Sequence, residues 1–276
     1  MTKIKLEKRF RSSQGDIAHD SFGDGPDVIL VHGTPVNSVI WSELVHALKH
    51  KFRFHLLDLP GYGQSAMFDG QDVRLRSFAR ILAEFVQHRQ LEDYILIGHD
   101  FGGGTVLGAH LIEKLSPKAI AVCDGVTLSP WGTPFSRHVR ENEKVFAAVP
   151  PYIHEATLRA HLETAVNHPM KPDMQEALLA PWLGTEGQAA YYRQVAQYDY
   201  DFTTELERLY PEITIPTLIM WGQQDQWLPL ANGEKLHELI PHSSFEILPD
   251  AGHFAMLDTP QLFRNRLEDW LDSITG

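Results

Sequence analysis

The chain has 276 residues, 43% of them hydrophobic and 22% charged, with a formal net charge of −12 at pH 7. This is the composition of a globular protein long enough for a sizeable core, and its acidic balance excludes the basic face that nucleic acid requires. The single cysteine, Cys123, excludes an internal disulfide framework and reads as a buried core thiol.

The opening Met1-Thr2-Lys3-Ile4-Lys5-Leu6 is too polar for a secretory signal, and no apolar run is long enough to span a bilayer. The default expectation is a cytoplasmic protein. Residues 5–22 read as two short antiparallel strands around the turn Ser13-Gln14-Gly15-Asp16. Residues 28–31 form a continuous apolar strand of the kind buried in a parallel sheet. It runs into His32-Gly33-Thr34-Pro35, and helical spacing follows over residues 38–50.

A strand over residues 52–57 closes on Asp58 and the turn-rich Gly61-Tyr62-Gly63-Gln64-Ser65. Phe78, Ile81, Leu82 and Phe85 mark the next helix. The apolar run 94–97 then leads into Gly98-His99-Asp100-Phe101-Gly102-Gly103-Gly104, with a helical pattern over residues 105–115. A further strand, 119–122, ends at Asp124.

The alternation breaks over residues 129–206, where apolar spacing is helical throughout and prolines punctuate. This predicts an all-helical insertion of about four helices, a cap over a core formed by residues 1–128 and 207–276. The alternation resumes with a strand at 217–220, a helix near 230–240, a strand at 245–248 and a last amphipathic helix at 260–274. Strands alternating with helices predict an α/β fold: a mostly parallel sheet with helices on both faces. Ligands of such sheets bind beyond the carboxyl ends of the strands, so His32, Asp58, Asp100, Asp124 and Asp225 should share one rim.

A buried strand, a glycine-flanked sharp turn and a helix are what a nucleophile elbow requires, and here the apex residue is Asp100. A carboxylate attacking an acyl carbon would give a mixed anhydride, a poor exchange for an ester. Attacking a saturated carbon, it gives a stable alkyl ester. Asp100 therefore points to displacement at a carbon with a good or activatable leaving group. Asp225 and His253 follow the late strands, and Asp100, Asp225, His253 is the nucleophile–acid–base order of α/β-hydrolases.

With its glycine-rich loops at matching strand ends, the chain resembles the epoxide hydrolase and haloalkane dehalogenase branch of the α/β-hydrolases. The resemblance implies that His253 activates a water to hydrolyse the Asp100 ester while Asp225 orients the imidazole. Some members place the acid where Asp124 stands, which is the alternative. The backbone N–H groups of Thr34 and Phe101 occupy the oxyanion-hole positions.

The resemblance leaves two electrophiles. Halide-releasing relatives commonly carry tryptophan after the nucleophile and asparagine at the position of Thr34; here Phe101 and Thr34 stand there. Ala190-Tyr191-Tyr192-Arg193 resembles the segment carrying a ring-opening tyrosine, with Tyr192 in that place and Tyr152 as a second tyrosine of the insertion. Trp131 and Trp182 could instead donate to a halide. Fluoroacetate-type relatives hold a carboxylate with an arginine after the nucleophile, a role left here to Arg137 or Arg140.

The leading expectation is epoxide hydrolysis, with a haloalkane or haloacid dehalogenase as the alternative and a ligand-binding protein on the same fold as the non-enzyme rival. The partners expected are a small, largely neutral organic substrate and water, without nucleic acid or membrane, on a monomer or homodimer. No metal or organic cofactor is expected, since neither a ligand-spaced Cys/His cluster nor a dinucleotide fingerprint occurs.

Overall fold

The computed structural model describes residues 4–276; Met1, Thr2 and Lys3, part of the polar opening read above, lie outside the described residues. The hairpin predicted at the start is β1 (Lys8–Ser12) and β2 (Gly15–Phe22). It is followed by β3 (Asp27–Val31), β4 (Arg53–Leu57), β5 (Tyr94–His99), β6 (Ala119–Cys123), β7 (Thr217–Gly222) and β8 (Ser244–Leu248). These strands form one sheet in the order β1-β2-β4-β3-β5-β6-β7-β8. β2 pairs antiparallel with β1 and β4, and every later pairing is parallel.

β5, β6 and β7 are buried along their whole length, as their unbroken apolar runs demand. Register then aligns the strand ends. Val31 lies opposite both Leu57 and Gly98, and Cys123 opposite both His99 and Met220. The residues that leave these strands therefore emerge along one edge of the sheet.

The core helices are α1 (Ser42–Leu48), α2 (Leu75–Arg89) and α3 (Phe101–Leu111), then α10 (Leu230–Leu239), α11 (Ala255–Asp258) and α12 (Pro260–Thr275). The first turn of the helix expected over residues 38–50 is a 3-10 turn, Ser38–Trp41, capped by the Asn37 side chain. α3 starts earlier than expected, immediately after Asp100, and its Gly102 and Gly103 pack against β3 and β6, where a Cβ would meet the Val31 carbonyl and the Val122 side chain. It also stops earlier, and Lys114 just beyond it has left-handed backbone.

The insertion carries α4 (Pro134–Glu141), α5 (Glu143–Ala147), α6 (Pro151–Glu163), α7 (Pro172–Leu179), α8 (Gly184–Ala196) and α9 (Tyr200–Leu209), more than the four helices expected. The difference is in the prolines. Pro134, Pro151 and Pro172 each sit in a first helical turn, where the missing N–H costs nothing, so they begin helices. Among the described residues, no helix is long and apolar enough to cross a membrane.

α9 is pinned to the core by Phe202, which is fully buried against Gly108 of α3, with the Arg76 guanidinium 4.9 Å above its ring. A Phe202→Ala variant is expected to lose about 3–5 kcal/mol of stability. Equilibrium urea unfolding measures this, and an unchanged midpoint would show that the cap does not depend on this anchor.

Candidate active site

Asp100 sits at the turn between β5 and α3 with φ 52° and ψ −115°, a conformation that costs a non-glycine residue roughly 1–3 kcal/mol. The surroundings hold it there. Its N–H donates to the Cys123 carbonyl (3.1 Å), and its own carbonyl accepts from the Gly103 and Val126 N–H groups (2.9 Å each). A Cβ on Gly98 would run into the Gly102 carbonyl, and one on Gly102 into the Val31 carbonyl. Both positions therefore require glycine, which is why the motif is visible in the sequence.

The turn presents the Asp100 carboxylate to two groups. Its Oδ2 accepts a hydrogen bond from the Thr34 N–H at 2.6 Å, and its Oδ1 lies 3.4 Å from His253 Nε2. On the far side of the ring, His253 Nδ1 donates to Asp225 Oδ2 at 2.8 Å. Asp225 is fixed in turn, since its Oδ1 accepts from the Trp227 and Leu228 N–H groups at 2.8 and 2.9 Å. This locks the tautomer that leaves Nε2 facing Asp100.

Asp124 ends β6 behind this pair. Its Oδ1 accepts from the Gly222 N–H at 2.7 Å, while Oδ2 is buried without a hydrogen-bond partner. Burial, and then the charge of Asp225, push its carboxyl well above the usual carboxylate range. Of the two acids read from the sequence, Asp225 is the one bonded to the imidazole. Asp124, Asp225 and His253 each bring a potential ligand atom within 4.8 Å of the others. Both Asp225 oxygens and the imidazole Nδ1 are already hydrogen-bonded.

Burial disfavours the charged form of His253, but the Asp225 and Asp100 carboxylates outweigh it and raise the ring's pKa well above its ordinary value. His99 packs beside the elbow with its Nε2 3.0 Å from the His253 carbonyl, and burial, then the charge of His253, hold it neutral with a pKa of about 4. Asp58 accepts from the Ser38 and Gln64 N–H groups, and His32 accepts from the Leu59 N–H, so both shape loops at the rim.

A small cavity of about 30 Å³ opens over Asp100, bounded on the core side by Thr34 and Phe101. The opposite wall comes from the cap and includes Tyr191 and Gln194 of α8 and Tyr198 just beyond it. A step of three along α8 puts Tyr191 and Gln194 on one face. Tyr192, one position further on than Tyr191, points elsewhere and bonds His154 Nδ1 through its hydroxyl at 3.1 Å.

The cap residues read from the sequence thus largely miss the cavity. Tyr192 does not line it, and Tyr152 is 71% exposed on α6. Trp182 donates its indole N–H to the Pro35 carbonyl at 2.6 Å. Trp131 does line the cavity, but its N–H donates to Thr203 at 3.1 Å. Arg137 and Arg140 are exposed and do not line it. Sequence reasoning passed over Tyr191, Gln194, Tyr198 and two further lining residues, His161 and Trp227. Helical spacing counted from Tyr191 would have found Gln194, whereas Tyr198 lies past the end of α8. His161 stacks on Trp227 (4.4 Å between ring centres), and burial, then the nearby His253, keep it neutral with a pKa of about 4.

A family model described as the alpha/beta hydrolase fold matches residues 26–260. The chain belongs to the α/β-hydrolase fold family. This α/β-hydrolase is 29% identical to haloalkane dehalogenase 2 of Mycobacterium bovis over 262 residues, covering 91% of this chain and 90% of that one. It is 26% identical over 257 residues to the pimeloyl-[acyl-carrier protein] methyl ester esterase of Vibrio atlanticus, covering 89% and 94%. Among solved structures it resembles an α/β-hydrolase fold protein from Burkholderia ambifaria, with a TM-score of 0.94 and 34% identity over 97% of this chain and 99% of that one.

Within this α/β-hydrolase, two negative charges face one imidazole. The unfolded ring titrates near 6.5, so the stability gained from its protonation is complete below that pH and is lost as pH rises through the elevated folded value. Replacing Asp100 by Asn removes one of the two charges. The His253 pKa is then expected to fall towards the ordinary range, as read by NMR titration of the ring protons. An unchanged value would mean that Asp225 alone sets it.

Proposed function

We propose that this enzyme is a two-step hydrolase acting at a saturated carbon, with small, largely neutral epoxides as substrates. The observation that carries the reading is the Asp100 carboxylate, with one oxygen on the Thr34 N–H at 2.6 Å and the other 3.4 Å from the His253 Nε2. In the first step Asp100 Oδ1 attacks an epoxide carbon, the C–O bond breaks, and an alkyl ester forms on the enzyme. The departing alkoxide takes a proton from a tyrosine hydroxyl, and Tyr191 and Tyr198 line the cavity. In the second step neutral His253 takes a proton from water, and the hydroxide adds to the Asp100 carboxyl carbon. The resulting oxyanion is held by the Thr34 and Phe101 N–H groups, donors typically worth roughly 3 kcal/mol each. Collapse breaks the bond from the carboxyl carbon to the substrate oxygen. That oxygen takes the proton of the new Asp100 carboxyl, which releases the diol and restores the carboxylate, and the proton on His253 returns to the tyrosinate.

The choice of an oxygen leaving group rests on the donors. The indole N–H groups of Trp131, Trp182 and Trp227 all donate within the protein, and the Phe101 side chain has none to offer a halide. Burial raises the pKa of Tyr191 well above the ordinary phenol value, which keeps it protonated until an alkoxide arrives. The second reading, haloalkane dehalogenation, is favoured by the 29% identity to a haloalkane dehalogenase. A protein that binds such ligands without turnover would need no base aimed at the elbow.

A His253→Ala variant should accumulate the ester, because its hydrolysis has lost the base. Incubated with small epoxides, the Asp100 peptide is expected to gain the full mass of the epoxide by mass spectrometry. An adduct formed only from haloalkanes, with free halide released, would convert the enzyme to a dehalogenase by the same covalent route. A folded variant with no adduct from either panel would overturn the covalent mechanism.

A further inference from the structure

Gln194 projects from α8 between Tyr191 and Tyr198 and is buried in the cavity wall. Two hydroxyl groups hold its amide. The Tyr62 hydroxyl donates to Oε1 at 3.0 Å and the Thr34 hydroxyl at 3.1 Å. Turning the amide over would set its NH2 against those same oxygens and leave at least one buried hydroxyl proton without an acceptor, an unfavourable exchange. It would also aim a carbonyl dipole into a cavity that already holds the Asp100 carboxylate. The orientation is therefore imposed, with Oε1 tied back and Nε2 free to donate into the cavity. Thr34 links this amide to the nucleophile directly, because its hydroxyl meets Gln194 while its N–H meets Asp100.

We infer that Gln194 is a catalytic residue whose Nε2–H donates to the oxygen leaving the attacked carbon, holding it while a tyrosine supplies the proton. This rests on the epoxide reading above. An amide N–H does not give up its proton under these conditions, so Gln194 stabilises and orients the leaving oxygen without titrating. Its contribution belongs to ester formation alone. By the time water attacks, the substrate oxygen is already a protonated hydroxyl.

Two substitutions isolate the donor. Gln194→Met is neutral but lacks the acceptor for the two hydroxyls; Gln194→Glu keeps that acceptor but adds a charge. Loss of the N–H donor is what they share. In the His253→Ala background, both are expected to slow ester formation on Asp100 by roughly 10- to 100-fold in rapid-quench mass spectrometry with a small epoxide, the range for a hydrogen bond to developing charge. With His253 intact, hydrolysis of the preformed ester should proceed at the parent rate. Tyr62→Phe, which loosens the amide, should slow ester formation less and should not add fully to Gln194→Met. Ester formation at the parent rate in either Gln194 variant, or equal slowing of both steps, overturns the inference while leaving the epoxide reading intact. Absence of any ester in His253→Ala itself overturns both.

Discussion

The structure depends on holding one aspartate in a backbone conformation that an aspartate does not favour. Asp100 is kept at φ 52° by hydrogen bonds to Cys123, Gly103 and Val126, and by glycines whose neighbours leave no space for a side chain. A conformational cost of this kind persists only where the surroundings over-determine it. Here they are the middle of the sheet, with β3, β5 and β6 in register and buried. The rigidity of the core is thereby converted into a fixed position for one carboxylate at the sheet edge.

Around that carboxylate lies a dense group of buried ionisable side chains: Asp100, Asp124, Asp225 and His253. Several uncompensated charges would be costly in such a place. The group resolves the cost by dividing roles. Asp225 takes two backbone N–H groups and the imidazole as hydrogen-bond donors. Asp124 receives a single N–H, and burial favours its neutral form. His99 and His161 flank the charged pair and are held neutral by burial. The polarity of the site is thus concentrated on the line from Asp225 through His253 to Asp100.

Much of this was legible in the sequence because it is set locally. The apolar runs of β3, β5, β6 and β7 mark buried parallel strands, Asp100 stands at the end of β5 and His253 in the loop that follows β8. Choosing between Asp124 and Asp225 was beyond local reading. Both end neighbouring strands, and the decision lies in the loop after β7, whose Trp227 and Leu228 amides turn Asp225 towards the imidazole. The cap was legible as helical but not in its details. A one-residue choice between Tyr191 and Tyr192 is a rotation of about 100° around α8, and only the docking of that helix over the core decides which tyrosine faces the cavity. The indoles of Trp131 and Trp182 likewise look free in a sequence and are engaged by Thr203 and Pro35 in the fold.

The elevated pKa of His253 carries a consequence for the order of events. A protonated imidazole cannot serve as a base, and the two adjacent carboxylates favour its protonated form. On the proposed route, esterification of Asp100 erases one of those negative charges, so the ring's hold on its proton weakens only once the covalent intermediate exists. The nucleophile would then act as its own clock: consuming it arms the group that regenerates it.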